Sequence, residues 1–322
     1  MHDTTIVVPN YNGKEFVGNC LDSLRKQNKN DFAIILVDNG STDGSLELVK
    51  KNYQEVEVIS LPNNTGFCGA VNTGIRASKS QYVILLNNDT EVEANFVEEM
   101  LKGIRRHENA FSCAAKMLQF DQRGCIDDAG NFYNALGWAY ALGKGKADTS
   151  YNKERKIFSS CAGAAIYRRD VLDKIGLFDE EHFAYLEDTD IGYRAQIAGY
   201  DNWFIPAARV YHMGSATSGS TYNQFKIRYS SRNNIYMIAK NMPIAQLILN
   251  LPFLIVGFGI KIAFFVLKGF GREYLAGIKN GFSLAGQAQK RGKKVPFAFK
   301  NMKNYLKIQV QLWVNIVRRF VS

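Results

Sequence analysis

The chain has 322 residues, 46% hydrophobic and 22% charged, a composition that excludes disorder and collagen-like repeats and fits one large α/β domain with an appendage. Its net charge of +10 is unevenly spread: residues 1–199 carry −6 and residues 200–322 carry +16. An acidic front with a basic tail calls for a polyanionic partner at the tail, and the apolar character of that tail favours anionic lipid over nucleic acid.

The first hundred residues alternate strand and helix patterns. A strand is expected over Thr4–Pro9, so near the start that no signal peptide is expected before it, and it ends in the turn cluster Pro9-Asn10-Tyr11-Asn12-Gly13. Phe16, Cys20, Leu21 and Leu24 follow at helical spacing. The apolar run 32–37 has buried-strand length and stops at Asp38-Asn39-Gly40-Ser41-Thr42-Asp43-Gly44. A helix over Ser45–Asn52, a strand over Val56–Ser60, a helix around Ala70–Ser78 and a strand over Tyr82–Leu86 complete the alternation, which ends at Asn87-Asn88-Asp89. This order implies βαβ units and a mostly parallel sheet, in which ligands bind beyond the carboxyl ends of the strands. The polar clusters at 9–13, 38–44 and 87–89 are therefore expected to form one site.

Residues 110–170 are less regular: a strand near Phe111–Met117, a Gly-rich variable stretch over 121–150 and an apolar stretch over Cys161–Tyr167. The five cysteines are widely spaced, without metal-site or redox spacing, and are expected to be reduced thiols in a cytosolic compartment. After Arg232 the composition changes: no charge falls between Ile244 and Ile260, the apolar run resumes after Lys261 to Leu267, and basic helical segments follow.

Asp38 and Asp89 each stand at a strand end, where a carboxylate can hold a hard cation or accept a hydrogen bond from a base or ribose. Asp43 and Ser41 are equally well explained as helix caps. Glu187, Asp188 and Asp190 crowd beside Phe178, Phe183 and Tyr185; burial among rings and like charges raises a carboxyl and suits a general base, although the same acids also favour a helix N-terminus. His212 follows a strand-like stretch and reads equally as structural. Arg228 and Arg232, four apart on an expected helix, would face one way and could grip a diphosphate.

Taken together, the segments Val7–Gly13, Val37–Gly44, Asn63-Asn64-Thr65-Gly66-Phe67, Leu85–Asp89, Gly176–Glu180 running into Glu187–Asp190, then His212 and Arg232-Asn233-Asn234, resemble glycosyltransferase family 2 and its GT-A fold. Asn87-Asn88-Asp89 and the Phe-Asp-Glu to Glu-Asp-Thr-Asp run resemble its rhamnosyltransferase-like branch. The resemblance implies a donor site of Pro9, Tyr11, Asp38, Asn39, Asn64, Gly66 and Asn88, with Tyr11 on the base, Asp38 at the base edge and Asn88 by the ribose. It implies Asp89, with His212, as ligands of Mg²⁺ or Mn²⁺, Asp188 as catalytic base, and Glu187, Gly163, Arg228 and Arg232 at the acceptor or diphosphate. The family's aspartate-any-aspartate triplet is Asn87-Asn88-Asp89 here, so one carboxylate remains and substrate phosphates and water must complete a metal shell.

The expected function is inverting transfer of a sugar, foremost L-rhamnose from dTDP-rhamnose and otherwise a UDP-sugar, to a lipid-linked or polysaccharide acceptor in cell-surface glycan synthesis. A sugar nucleotidyltransferase is disfavoured because only Gly13-Lys14 stands where its Gly-rich basic loop belongs. An inactive scaffold of the same fold is disfavoured by the presence of Asp38, Asp89 and Asp188. The expected division is a GT-A catalytic domain over 1–235 and an apolar, basic helical region over 236–322. Residues 244–267 have the length of a membrane span, but Asn250, Pro252 and Lys261 interrupt them, so a peripheral or re-entrant element at the cytoplasmic face of the membrane is expected. A homodimer is compatible with the sequence, and nucleic acid is not an expected partner.

Overall fold

A computed structural model describes residues 2–214 and 222–321. Four parallel strands form its first half: β1 (Thr4–Asn10), β2 (Ala33–Asp38), β3 (Glu57–Ser60) and β4 (Tyr82–Leu86), joined by α1 (Val17–Arg25), α2 (Ser45–Asn52) and α3 (Gly66–Ala77). Their order in space is β3-β2-β1-β4, so the sheet reverses direction of growth between β1 and β4. That switch point opens a crevice beyond the strand ends, the usual place for a ligand in such sheets. The strands are near-continuous apolar runs because helices cover both faces: Ile6, Val8, Leu36 and Ile84 pack on one side, and Val7, Val37, Val83 and Leu85 on the other.

The second half is mixed rather than parallel. After β5 (Thr90–Val92) and α4 (Phe96–Arg106), β6 (Ala110–Gln119) leads into the Gly-rich stretch, which folds as β7 (Ile126–Asp128), β8 (Asn131–Tyr133) and β9 (Ala139–Ala141). Then come β10 (Arg155–Ile157), β11 (Ala164–Arg168), α5 (Arg169–Ile175), α6 (Glu187–Ile197) and β12 (Asp201–His212). Strand β11 inserts antiparallel between β4 and β6, and β12 lies parallel to β6. The large sheet therefore runs β10-β12-β6-β11-β4-β1-β2-β3, with β5 on β12 and β7 on β6.

Helix α7 (Gln224–Asn241) runs through the expected boundary at 235, and α8 (Ile244–Leu267), α9 (Gly271–Lys290) and α10 (Met302–Val321) follow. These helices are seated on the catalytic half: Leu254, Tyr305, Ile308 and Leu312 share one apolar cluster with Tyr133, Phe158 and Tyr193. Helix α8 is continuous through Asn250, Pro252 and Lys261. All five cysteines are free.

Candidate active site

The floor of the crevice is a polar network anchored on Asn10, the last residue of β1. Its Nδ2 donates to Asp38 Oδ1 (3.1 Å), Ser41 Oγ (3.2 Å) and Ser45 Oγ (2.9 Å), while its Oδ1 accepts from Asn88 Nδ2 (2.7 Å). Asp38 accepts a further bond from the Ser41 backbone N–H (3.2 Å), so the carboxylate is aimed by two elements. Asn88 and Asp38, from two strand ends, thus meet through one asparagine that sequence reasoning did not single out. Tyr11, in the loop just after, is 37% exposed and Pro9 is partly buried behind it.

Asn39 and Asn64 brace the opposite wall. Asn39 donates to Asn64 Oδ1 (3.0 Å) and Gly66 O (3.1 Å), and its own Oδ1 accepts from the backbone N–H and hydroxyl of Thr65. Both ends of its amide are committed, so it shapes the wall. Gly66 has φ +78°, and a Cβ there would lie 2.5 Å from the ring of Phe183; only glycine fits this close approach to the loop that precedes α6.

That loop is strained. Phe183, Tyr185 and Leu186 all have positive φ (61°, 71° and 65°), an arrangement that persists only where its surroundings over-determine it. Asn233 on α7 supplies the restraint, donating to the carbonyls of His182 (2.9 Å), Ala184 (2.8 Å) and Tyr185 (2.7 Å). Arg232 adds bonds to the carbonyls of Glu181 (2.7 Å) and His182 (2.9 Å). Of the two arginines expected to face one way, Arg228 is exposed and the Arg232 guanidinium is bonded to these backbone carbonyls.

The loop delivers Glu187 and Asp188 to the first turn of α6. Asp188 is partly exposed; its Oδ2 accepts from Asn131 Nδ2 (2.8 Å) and its Oδ1 from the Thr189 backbone N–H (2.6 Å). Burial raises its carboxyl above the usual range against the pull of these hydrogen bonds. Glu187 is more deeply buried, its Oε2 lacks a partner, and burial together with the neighbouring Asp188 raises it strongly. The third acid, Asp190, points away into the protein and belongs to a buried ion network described below.

Asp89 lies nearly buried between β4 and β5. Its Oδ1 has no hydrogen-bond partner and sits 3.6 Å from His212 Nε2. His212 Nδ1 is 2.8 Å from Asp127 Oδ2, and Lys144 Nζ donates to Asp127 Oδ1 at 2.7 Å. These two bonds outweigh the burial of Asp127 and hold its carboxyl at about 2. Next to it, burial pushes Asp128 up to about 7, with Asp127 and Asp188 adding to the effect. Asp127, Asp128 and Asn131 were not found from sequence because they occupy short strands in a stretch without periodicity; Asp127-Asp128 was the visible signal. Gly163 lies beside this corner, its carbonyl accepting from the Asn87 backbone N–H (2.9 Å).

Among the described residues no three His, Cys, Asp or Glu side chains form a ready metal cage. The orphaned Asp89 oxygen and the facing His212 nitrogen nevertheless fit a divalent cation as a partial, open set of ligands. The Asp127–His212 contact has the form of a carboxylate orienting a ligating imidazole. Phosphate oxygens and water would supply the remaining positions.

A parallel sheet whose switch point carries a carboxylate after β2, an Asn-Asp pair after β4 and a rigidly aimed carboxylate on α6 is a GT-A arrangement. The family model "Glycosyl transferase family 2" matches residues 5–176, and the chain belongs to that family. Over 239 residues it is 24% identical to the N-acetylglucosaminyl-diphospho-decaprenol L-rhamnosyltransferase of Mycobacterium tuberculosis, covering 66% of this chain and 77% of that one. Among solved structures, GalNAc-T7 with UDP, GalNAc and Mn²⁺ superposes with TM-score 0.61 at 16% identity, over 74% of this chain and 48% of that one. S. aureus TarS residues 1–349 in complex with UDP-GlcNAc gives TM-score 0.55 at 17% identity, over 92% and 94%. These two likenesses are of fold.

Proposed function

We propose that the chain is an inverting, metal-dependent hexosyltransferase that moves a sugar from a nucleoside diphosphate to a lipid-linked acceptor in cell-surface glycan synthesis, at the cytoplasmic face of a membrane. The observation that carries the reading is the convergence of Asp38, Asn88, Asp89 and Asp188 on the crevice at the β1/β4 switch point. Asp38 takes the base edge, Tyr11 covers the base, and Asn88 lies by the ribose. Asp89 and His212 would hold Mg²⁺ or Mn²⁺, which when bound neutralises charge on the leaving diphosphate. Asp188 accepts the proton of the acceptor hydroxyl. The acceptor oxygen forms its bond to the anomeric carbon as the bond from that carbon to the diphosphate oxygen breaks on the opposite face, so the configuration inverts and no covalent enzyme intermediate arises.

The donor we favour is dTDP-rhamnose. The relative named as a rhamnosyltransferase acting on a diphosphate-linked decaprenol supports both this donor and a lipid-linked acceptor. A UDP-sugar is the second reading, favoured by structural neighbours holding UDP and UDP-GlcNAc. Calorimetric titration of the protein with dTDP, UDP and GDP, with and without Mg²⁺ or Mn²⁺, tests the reading. Metal-dependent binding of dTDP supports it; preference for UDP replaces the donor; no binding of any nucleotide leaves a scaffold and sinks the enzymatic proposal.

A further inference from the structure

The C-terminal helices α8 and α10 carry buried amides on their inward faces and exposed apolar side chains on their outward ones. Along α8 the residues turned toward the protein include Gln246 and Asn250, and those turned away include Ile248 (66% exposed) and Ile255 (64%). Helix α10 repeats the pattern, with Gln309 and Asn315 inward and Val310, Val317 and Phe320 outward. Both helices pack on the same apolar cluster and are bonded to each other, Asn250 and Gln309 exchanging two amide hydrogen bonds of 2.8 Å. Their outward faces therefore look away from the core together. Exposed apolar side chains in this number on two adjoining helices mark a partner that is itself apolar. Residues 236–322 carry fourteen Lys or Arg against the single acid Glu273. Lys240, Arg291, Lys293 and Lys307 pair with acids of the catalytic half, and the other ten leave an excess of positive charge that suits a partner presenting negative charge.

We propose that the outward faces of α8 and α10 form one plate on which the protein lies on an anionic lipid bilayer, with α8 parallel to the surface rather than across it. By length α8 could span, 24 residues reaching about 36 Å. Its inner face forbids this. Tyr193 Oη donates to Gln246 Oε1 (2.6 Å), Trp138 Nε1 donates to Gly257 O (3.0 Å), and a Cβ at Gly257 would fall 2.0 Å from the carbonyl oxygen of Leu136. Tyr193 and Trp138 belong to α6 and the β8–β9 turn of the catalytic half, so they cannot follow α8 into hydrocarbon. A spanning α8 would leave these groups and the Asn250–Gln309 pair unsatisfied in lipid, where no water can replace the lost partners. A helix lying flat keeps every one of them and still buries its apolar face.

This inference goes beyond the transfer reading and does not depend on it. The full chain is floated with phosphatidylcholine vesicles, with and without phosphatidylglycerol. Co-flotation at least tenfold stronger with phosphatidylglycerol, and a tenfold or greater loss in the double variants Ile248→Glu/Ile255→Glu and Val310→Glu/Val317→Glu, are the expected results; circular dichroism matching the parent shows that the variants are folded. Unchanged flotation of both folded variants overturns the plate. Orientation is read from fluorophores on single cysteines placed at Ile248, Ile255 and Val266, which share one helix face, with Cys125 and Cys161 replaced by Ser, and quenched by lipids labelled at shallow or deep positions. Equal shallow depth is expected; Ile255 at the bilayer centre with the other two shallower overturns the in-plane placement. A stable dimer by light scattering that never floats assigns the surface to a second copy and also overturns the proposal. Flotation without nucleotide binding would keep the plate and sink only the transfer reading.

Discussion

Asn131 Nδ2 donates a 2.8 Å hydrogen bond to Oδ2 of Asp188, joining the β8–β9 hairpin to the carboxylate on α6. A bond to an ionised acceptor contributes about 1.5–3 kcal/mol, so Asn131→Ala should lower kcat roughly ten- to a hundredfold through misplacement of the proposed base. Asp188→Asn removes the proposed base and should lower kcat by about 10²–10⁴ or more while the Kd for the nucleotide, measured calorimetrically, stays within a fewfold of the parent. Full turnover in Asp188→Asn would refute its role.

The pH profile follows from the same carboxyl. Burial raises Asp188 above its ordinary value of about 3.9, and a base works only when deprotonated. kcat/KM should therefore fall as pH drops through the raised value, with the acidic limb above about pH 4. A limb at the ordinary carboxylate position in a profile of kcat/KM against pH would show that another group is titrating.

Asn233 makes a prediction about geometry rather than proton transfer. Asn233→Ala strips three carbonyls in the positive-φ loop of their donor. The loop should relax toward unstrained backbone and carry Asp188 with it. kcat should fall about tenfold or more, on the scale of one lost buried hydrogen bond, with little change in nucleotide Kd. Equal loss of both would indicate general unfolding.

Lys240 holds the buried network behind the site, its Nζ 2.8 Å from Asp179 and 2.9 Å from Asp190. Asp190 also takes Arg194 (3.0 Å) and Asn241 (2.8 Å). Lys240→Met leaves two buried carboxylates short of charge and should cost about 3–5 kcal/mol in denaturant unfolding. Lys240, with Arg194 and Tyr236 nearby, keeps both carboxyls well below their usual range despite burial. Depressed folded-state values mean that the stabilisation is complete above the unfolded value of about 3.9 and is lost as pH falls through the folded ones. The gap between parent and Lys240→Met should accordingly be widest near neutral pH and narrow below about pH 4.

The candidate site was legible where chemistry interrupts a strong pattern. Asp38 and Asp89 end buried apolar runs, and a charge there is visible against the run. Asp127, Asp128 and Asn131 stand on three-residue strands whose position is set by tertiary pairing with β6 and β9, which leaves no periodicity to read. Helical spacing placed Arg228 and Arg232 on one helix correctly. It could not reveal that the carbonyls of Glu181 and His182, some fifty residues earlier, would claim Arg232. Along α8, Asn250 looked like an interruption of an apolar helix; the structure makes it the inward face, because its partner Gln309 is 59 residues away.

The tie from Asn233 to the loop before Asp188 has a mechanical meaning. Asn233 is part of α7, and α7 packs along α9, within the same helical bundle that carries α8 and α10. The backbone before Asp188 is thus fastened on two sides: to the bundle through Asn233, and to α3 of the sheet half, where the Cys68 N–H donates to the Phe183 carbonyl (3.2 Å) and Asn72 Nδ2 to the Phe178 carbonyl (2.7 Å). The loop is therefore a joint clamped from both halves, and a shift of the bundle against the sheet half would be felt first in the position of Asp188.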